Sequence, residues 1–217
     1  MPAVLAILGF IAVCATILFT AAGRTDLPFF WAVIAVIGAF MLATILSVDR
    51  ELRRERMRPG AGGISRRFRM MMMPLIVGSW IVAGLDVGRF HWSDTVPDAV
   101  QIVGLVTLIA AMALASWAMR ANRFFSPVIR IQSERRHHVV RTGPYRFVRH
   151  PGYIATVIAF FFGTLAFGSW LATTLTIPYA ALFLARTIVE ERYLREHLDG
   201  YTDYTAVVRA RWVPGVW

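Results

Sequence analysis

The sequence contains no lysine. Its 23 basic residues are all arginine, and they exceed the 13 acidic residues to leave a formal net charge of +10 over 217 residues. The absence excludes a Schiff-base lysine and the lysine of a phosphate-binding P-loop. There is a single cysteine, Cys14, inside an apolar run. That excludes an internal disulfide framework and any cysteine-cluster metal site. Charge itself is scarce, at 17% of residues against 57% hydrophobic, where soluble domains carry about a quarter charged. A soluble nucleic-acid binder of this net charge would spend far more residues on charge, so nucleic acid is not an expected partner. An apolar chain with few, strongly biased charges is the pattern of a membrane protein with basic loops on one side.

The runs bear this out. Ala3 to Ala22 is nearly uninterrupted in its apolar character, and twenty helical residues rise about 30 Å, the thickness of a bilayer core. A cleaved signal peptide fits less well, because no basic n-region precedes the run and no small-residue cleavage site leads into a soluble domain. Pro28 to Val48 is a second span, joined to the first by the short linker Gly23-Arg24-Thr25-Asp26, so the two form an antiparallel hairpin. Asp49 to Arg69 then holds Arg50, Arg53, Arg54, Arg56, Arg58, Arg66, Arg67 and Arg69 around the breaker stretch Pro59-Gly60-Ala61-Gly62-Gly63. It reads as a mobile basic loop at the lipid headgroups. Met70 to Val87 and Asp98 to Met119 are the third and fourth spans. The loop between them carries Arg89 and Asp94 and is not basic, whereas residues 120–149 are again crowded with arginine. Gly152 to Val189 is too long for one crossing. It bends at Gly168-Ser169-Trp170 into two helices, Gly152 to Phe167 and Trp170 to Val189. The expected architecture is an all-α polytopic membrane helix bundle of about six transmembrane helices, the last two a helical hairpin, with a cytosolic C-terminal helical segment and both termini cytoplasmic. One domain spans residues 1–217, with helices over 1–121 and the chemistry over 122–217.

The polar residues gather in two segments. Residues 130–153 and 186–211 hold four of the five histidines, and the final hairpin brings these segments together at the membrane–cytosol boundary. Adjacent His137 and His138 do not share a helical face and have no partner at ligand spacing, so no metal site is expected. Glu190-Glu191 at the end of a span oppose the helix dipole and call for a cation, which Arg186, one turn earlier, can supply. An ion pair and a share in a site are both open readings. Gly143-Pro144-Tyr145-Arg146-Phe147-Val148-Arg149-His150-Pro151-Gly152-Tyr153 leads directly into a membrane helix. Pro151 suits its first turn, which leaves Arg149 and His150 at a helix mouth that attracts an anionic group.

These residues resemble the signature of the isoprenylcysteine carboxyl methyltransferase and phospholipid methyltransferase superfamily. The resemblance lies in Gly143-Pro144-Tyr145, Arg149-His150-Pro151-x-Tyr153, two membrane helices and then Glu190-Glu191. It continues in Gly200-Tyr201-x-x-Tyr204 and Arg209-x-Arg211-x-x-Pro214-x-x-Trp217. Upstream, Arg130-Ile131-Gln132, His137-x-Val139-Val140 and Glu55-Arg56-x-x-Pro59 are similar to motifs of its members, the last to those of bacterial members. The resemblance implies an integral membrane enzyme, in a bacterial inner membrane, that uses S-adenosylmethionine without a soluble Rossmann domain. It implies a cofactor pocket of Gln132, His137, Val139, Tyr145, His150, Tyr153, Glu190 and Tyr204. Backbone near His137 and Val139 meets the adenine, His150 the methionyl carboxylate, and Glu190 or Glu191 the α-ammonium. Arg186 and Glu191 are the catalytic candidates on the side of a lipophilic acceptor. A carboxylate acceptor is already nucleophilic near pH 7 and asks only for orientation by a cation, whereas an amine or thiol asks for a base such as Glu191. A prenylcysteine-like or prenoid carboxylate is the favoured acceptor, partnered by membrane lipids. An NADPH-dependent membrane reductase of the related sterol reductase fold and a non-enzymatic lipid-binding protein are the alternatives.

Overall fold

The computed structural model describes residues 2–60, 63–93 and 95–217, with side chains at all of these except 2, 3 and 63–66. Ala61, Gly62, Asp94 and the side chain of Arg66, named above, lie outside that set. Among the described residues every regular element is helical, as the apolar periodless runs require. Helices α1 (Pro2–Ala22) and α2 (Pro28–Ser47) form the first hairpin, with Pro28 in the first turn of α2. There follow α3 (Arg50–Met57), α4 (Gly63–Leu85), a π-helical turn (Asp86–Phe90) and α5 (Asp98–Ala121). The C-terminal half holds α6 (Pro151–Ala166), α7 (Trp170–Thr174), α8 (Thr176–His197) and α9 (Tyr201–Val207). Among the described residues five stretches are long and apolar enough to cross a membrane: Val4–Ala22, Pro28–Ser47, Arg67–Phe90, Asp98–Ala121 and Trp170–His197. The sixth expected helix, α6, has only 16 residues and rises about 24 Å, less than a bilayer core.

Three expectations need correction. The basic segment after α2 is not simply a mobile loop, because it contains α3. Asp49 caps that helix, its Oδ1 accepting from Leu52 N at 2.8 Å, and Leu52 and Glu55 are buried on its inner face. The third span starts before Met70 and ends in the π turn, after which His91 adopts a left-handed conformation with φ 57°. The last helix does not stop at Val189. It runs to His197, so Glu190 and Glu191 lie inside α8 and any cation near them answers their burial rather than a helix end.

The core is built where α1, α2, α5 and α6 meet, from Leu18, Phe30, Val33, Leu108, Ala166 and Phe167. Gly104 lets α5 approach α6 closely, since a Cβ there would stand 2.9 Å from Ala166 N and 3.0 Å from Phe162 O, as small residues allow between membrane helices. One end of the bundle is closed by Arg89, which donates to Ala21 O at 2.6 Å and Thr20 O at 2.9 Å. Fully buried Asp86 lies beside it and accepts from Ser169 Oγ at 2.5 Å and Ser93 N at 2.7 Å. The bend at Gly168-Ser169-Trp170 is there, with Ser169 capping α7 through Ala172 N at 3.0 Å. The opposite end gathers α3, residues 122–150 and the end of α8, with Val48, Leu52 and Met119 packed beneath. Both arginine-rich segments therefore share one end.

Candidate active site

A cavity opens at the basic end. It is lined by the stretch after α5, by the 3-10 turn Gly143–Arg146 and the first turn of α6, and by the later turns of α8 and by α9. The stretch after α5 is held by Gln132, which is fully buried. Its Nε2 donates to Phe124 O at 2.8 Å, its Oε1 accepts from Arg135 Nη1 at 2.7 Å, and its backbone N donates to His137 Nδ1 at 3.3 Å. Phe124 packs on His137 and His138 at ring separations of 4.3 and 5.0 Å. Burial, aided by the neighbouring cations, pushes the His137 imidazole down to about 4. The ring is thus neutral at pH 7 and free to accept at Nδ1.

Behind this stretch stands α3. Glu55, with 7% of its surface exposed, accepts from Arg130 Nε at 3.0 Å and Nη2 at 2.6 Å and from Ser126 Oγ at 2.7 Å. The Arg130 hydrogen bond holds the Glu55 carboxyl below the ordinary carboxylate range. Glu51 adds Arg123 at 3.4 Å and Arg135 at 3.3 Å.

The mouth of α6 is as the motif places it, with His150 immediately before Pro151. The His150 ring stacks on Tyr153 at 5.3 Å. Its Nε2 lies 3.4 Å from Glu191 Oε1 but makes no hydrogen bond there. The Tyr201 hydroxyl, on α9, is likewise buried without a partner, and burial raises its proton affinity. Tyr204 donates to Tyr145 O at 2.6 Å, tying α9 to the 3-10 turn. Burial pushes its phenol up to about 12, so it remains a donor. Gly152 is needed here, because a Cβ would meet the Phe125 ring at 2.5 Å.

Seven of the expected site residues, His137, Val139, Tyr145, His150, Tyr153, Glu190 and Tyr204, line the cavity. Three stand off it. Gln132 is the clasp of the wall. Glu191, 3% exposed, accepts from Arg149 Nε at 2.5 Å and Arg211 Nε at 2.8 Å, so both its oxygens are committed to guanidinium groups. That arrangement does not suit the general base weighed for an amine or thiol acceptor. Arg186 faces an adjoining groove with Arg67, Phe68, Met71, Leu182, Ala185 and Val189. Its Nε donates to the Tyr153 hydroxyl at 2.7 Å and its Nη2 to Pro127 O at 3.0 Å, and its guanidinium lies over the Phe68 ring at 4.6 Å. The Tyr153 hydroxyl donates in turn to Glu190. Tyr153 is therefore the partition between cavity and groove. The direct Arg186–Glu190 distance is 3.9 Å.

Sequence reasoning did not assign Phe124, Arg130 or Tyr201 to the site. Tyr201 carried a signal, since it opens the Gly200-Tyr201-x-x-Tyr204 motif. Arg130 carried one too, since it opens the Arg130-Ile131-Gln132 motif, whereas Phe124 had none of its own, because its role depends on Gln132. Among the described residues no group of three histidine, cysteine or carboxylate side chains is placed to hold a metal.

The family match falls on the part of the chain that builds most of this cavity. Residues 102–196 match the family described as isoprenylcysteine carboxyl methyltransferase (ICMT), which bears out the resemblance drawn from the motifs. The chain is similar to a protein named "Probable protein-S-isoprenylcysteine O-methyltransferase" from Oryza sativa subsp. indica and to its namesake from subsp. japonica. Each is 32% identical over 114 residues, 51% of this chain and 60% of the relative. It is also similar to the nickel-cobalt-cadmium resistance protein NccN of Alcaligenes xylosoxydans xylosoxydans, 24% identical over 131 residues, 59% of this chain and 57% of that protein. The chain thus spans under two thirds of the length of these relatives.

Proposed function

We propose that the protein, which carries the isoprenylcysteine carboxyl methyltransferase pattern over residues 102–196, transfers a methyl group from S-adenosylmethionine to a lipophilic acceptor where the bundle meets the cytosol. A prenylcysteine-like or prenoid carboxylate is the favoured acceptor. The observation that carries this reading is the pairing of two spaces across one side chain. On one side of Tyr153 is a cavity lined by His150, whose Nε2 lies 3.4 Å from Glu191 Oε1 without hydrogen-bonding it, and by Tyr201, whose buried hydroxyl has no hydrogen-bond partner. On the other is a largely apolar groove that contains Arg186.

The residues fit the cofactor. The Glu190 carboxylate suits an α-ammonium. His150 Nε2, at the mouth of α6, suits a carboxylate, because the helix N-terminus favours negative charge there. Tyr201 offers a hydroxyl. Phe124, Val139 and Val140 offer the apolar and aromatic surface that a flat base requires. S-adenosylmethionine supplies a methyl group already activated on a sulfonium. The protein's own work is then to bind, align and exclude water. Arg186 orients the acceptor carboxylate in the groove, and Tyr153, engaged by both Arg186 and Glu190, sets the two halves of the site in register. No base is called for, since a carboxylate is ionised at pH 7. By the excess of arginine, the basic end faces the cytoplasm.

Calorimetric titration of the full chain in detergent with S-adenosylhomocysteine tests the reading. Micromolar binding is expected, weakened at least about tenfold in Glu190→Gln and in His150→Ala, as loss of a charge-assisted contact implies. Absence of binding, with NADPH bound instead, overturns it. The acceptor follows from comparing methylated lipids in membranes with and without the protein.

A further inference from the structure

Helix α3 has two faces with opposite tasks. Its inner face carries Leu52 and the carboxylates Glu51 and Glu55, which hold Arg123, Arg130 and Arg135 on the cavity wall. The residues beyond its end also touch that wall, since a Cβ at Gly60 would stand 3.0 Å from Arg130 Cζ. Its outer face carries Arg50 and Arg54, with Arg58 following as the C-cap residue, and all three are exposed. They are spaced four apart and line a shallow groove with Arg53 and Met57. Among the described residues none of the three meets a carboxylate.

This stripe is unfavourable as it stands. Like charges at i and i+4 repel on a helix surface, and Arg50, in the first turn, adds a cation where the helix dipole favours an anion. The side chain of Arg53 leaves a buried Nε without a partner in the same groove. The repulsion along the stripe and the misplaced cation at the helix start are both relieved by an anion with several acceptor oxygens. Position names its source. Arg50 lies three residues past Ser47, the end of the α2 span, so the stripe sits at headgroup depth, and exposed Met57, at 69%, offers an apolar contact beside the charges.

We propose that the outer stripe of α3 binds the phosphate of an anionic phospholipid headgroup and that this binding, passed through Glu51 and Glu55, steadies residues 122–136 of the cavity wall. The bilayer's anionic lipid is on this account a ligand of the protein rather than only its solvent. The proposal is independent of the methyl-transfer reading, because neither of its readouts uses turnover.

The full chain is placed in nanodiscs of phosphatidylcholine with a minor fraction of phosphatidylglycerol, and retained lipid is counted by native mass spectrometry. Phosphatidylglycerol should be retained in preference to phosphatidylcholine. The R50Q/R54Q/R58Q variant should lose about tenfold of that retention, in keeping with the attraction of each arginine to an anionic surface, and R50K/R54K/R58K should keep most of it. R192Q/R195Q, which removes two exposed arginines of α8, should change it less than about twofold. Equal retention of the two lipids, undiminished retention in the glutamine variant, or an equal loss in R192Q/R195Q would overturn the site. Hydrogen exchange over residues 122–136 should slow when phosphatidylglycerol is added to the wild type and not to the glutamine variant. Unchanged exchange in the wild type would refute the link to the cavity wall.

Discussion

The hydroxyl of Tyr153 stands between Arg186 and Glu190, accepting from the guanidinium at 2.7 Å and donating to the carboxylate. One phenol thus touches a side chain of the cavity and a side chain of the lateral groove. Tyr153→Phe keeps the ring and its stacking on His150 while removing both contacts. Loss of a single such positioning contact costs on the order of a hundredfold in rate. The expected outcome is that fall in kcat with S-adenosylhomocysteine affinity within about threefold of wild type. A matching collapse of affinity would place Tyr153 on the cofactor side alone.

Arg186→Ala should depress turnover more than cofactor affinity, because Arg186 lines the groove and reaches the cavity only through Tyr153, its Nη2 being bonded to Pro127 O. The comparison is between single-turnover rate and calorimetric Kd in the same preparation. Equal losses in both would remove Arg186 from the acceptor's side.

Glu55→Ala leaves Arg130 with one exposed carboxylate, Glu134, in place of a buried bidentate pair. Removing one partner of a buried ion pair costs about 3 kcal/mol or more. The variant should melt earlier, and Glu55→Ala/Arg130→Ala together should cost less than the sum of the single changes. Additive losses would mean that the two side chains do not act as a pair.

Acid should loosen the cavity wall. His137 titrates at about 4 in the folded chain and near 6.5 when unfolded. Its depressed value contributes stability that is complete above pH 6.5 and is lost as pH falls through about 4, because the unfolded state takes the proton first. Glu55, also depressed, acts in the same direction at lower pH, its contribution present above the ordinary glutamate range. Thermal melting from pH 7 to pH 4 should decline, and His137→Gln should flatten the upper part of that decline. An identical pH profile in the variant would sink the assignment.

Asp86→Ala should leave Ser93 N and Ser169 Oγ without their acceptor at a fully buried position. Each unsatisfied donor costs about 1–3 kcal/mol. Stability should fall while S-adenosylhomocysteine affinity, read well below the melting point, stays near wild type, since the lesion is at the far end of the bundle. A selective loss of binding would contradict that separation.

What the sequence disclosed, and what it did not, follows the range of the interactions concerned. The first, second and fourth apolar runs, the bend at Gly168-Ser169-Trp170 and the mouth of α6 at His150-Pro151 are written in neighbouring residues and stand within a residue or two of where the local pattern puts them, whereas the third and last helices run past their expected ends. Helix α3 escaped because arginine density reads as a solvated loop, whereas its fold rests on Leu52 burial and on the Glu55–Arg130 pair, 75 residues apart in the chain. The Glu190-Glu191 dipeptide was legible as a polar focus but not as a division of labour. Successive residues of a helix point about 100° apart, and here that angle sends Glu190 to the cavity and Glu191 to Arg149 and Arg211. The lateral groove left no trace in any motif, because its walls come from α4 and α8.

Arg149 donates to the carbonyls of Val208 and Arg209, each at 2.7 Å, and its backbone N to Ala210 O at 3.0 Å. These partners leave the ribosome some sixty residues after it does, once α8 has been made. The helices can therefore be inserted while this guanidinium still lacks its carbonyl acceptors, and the cavity is completed only when the final stretch folds back over α6. A chain halted after His197 would hold all five described membrane-length helices and still lack the carbonyls that Arg149 bonds.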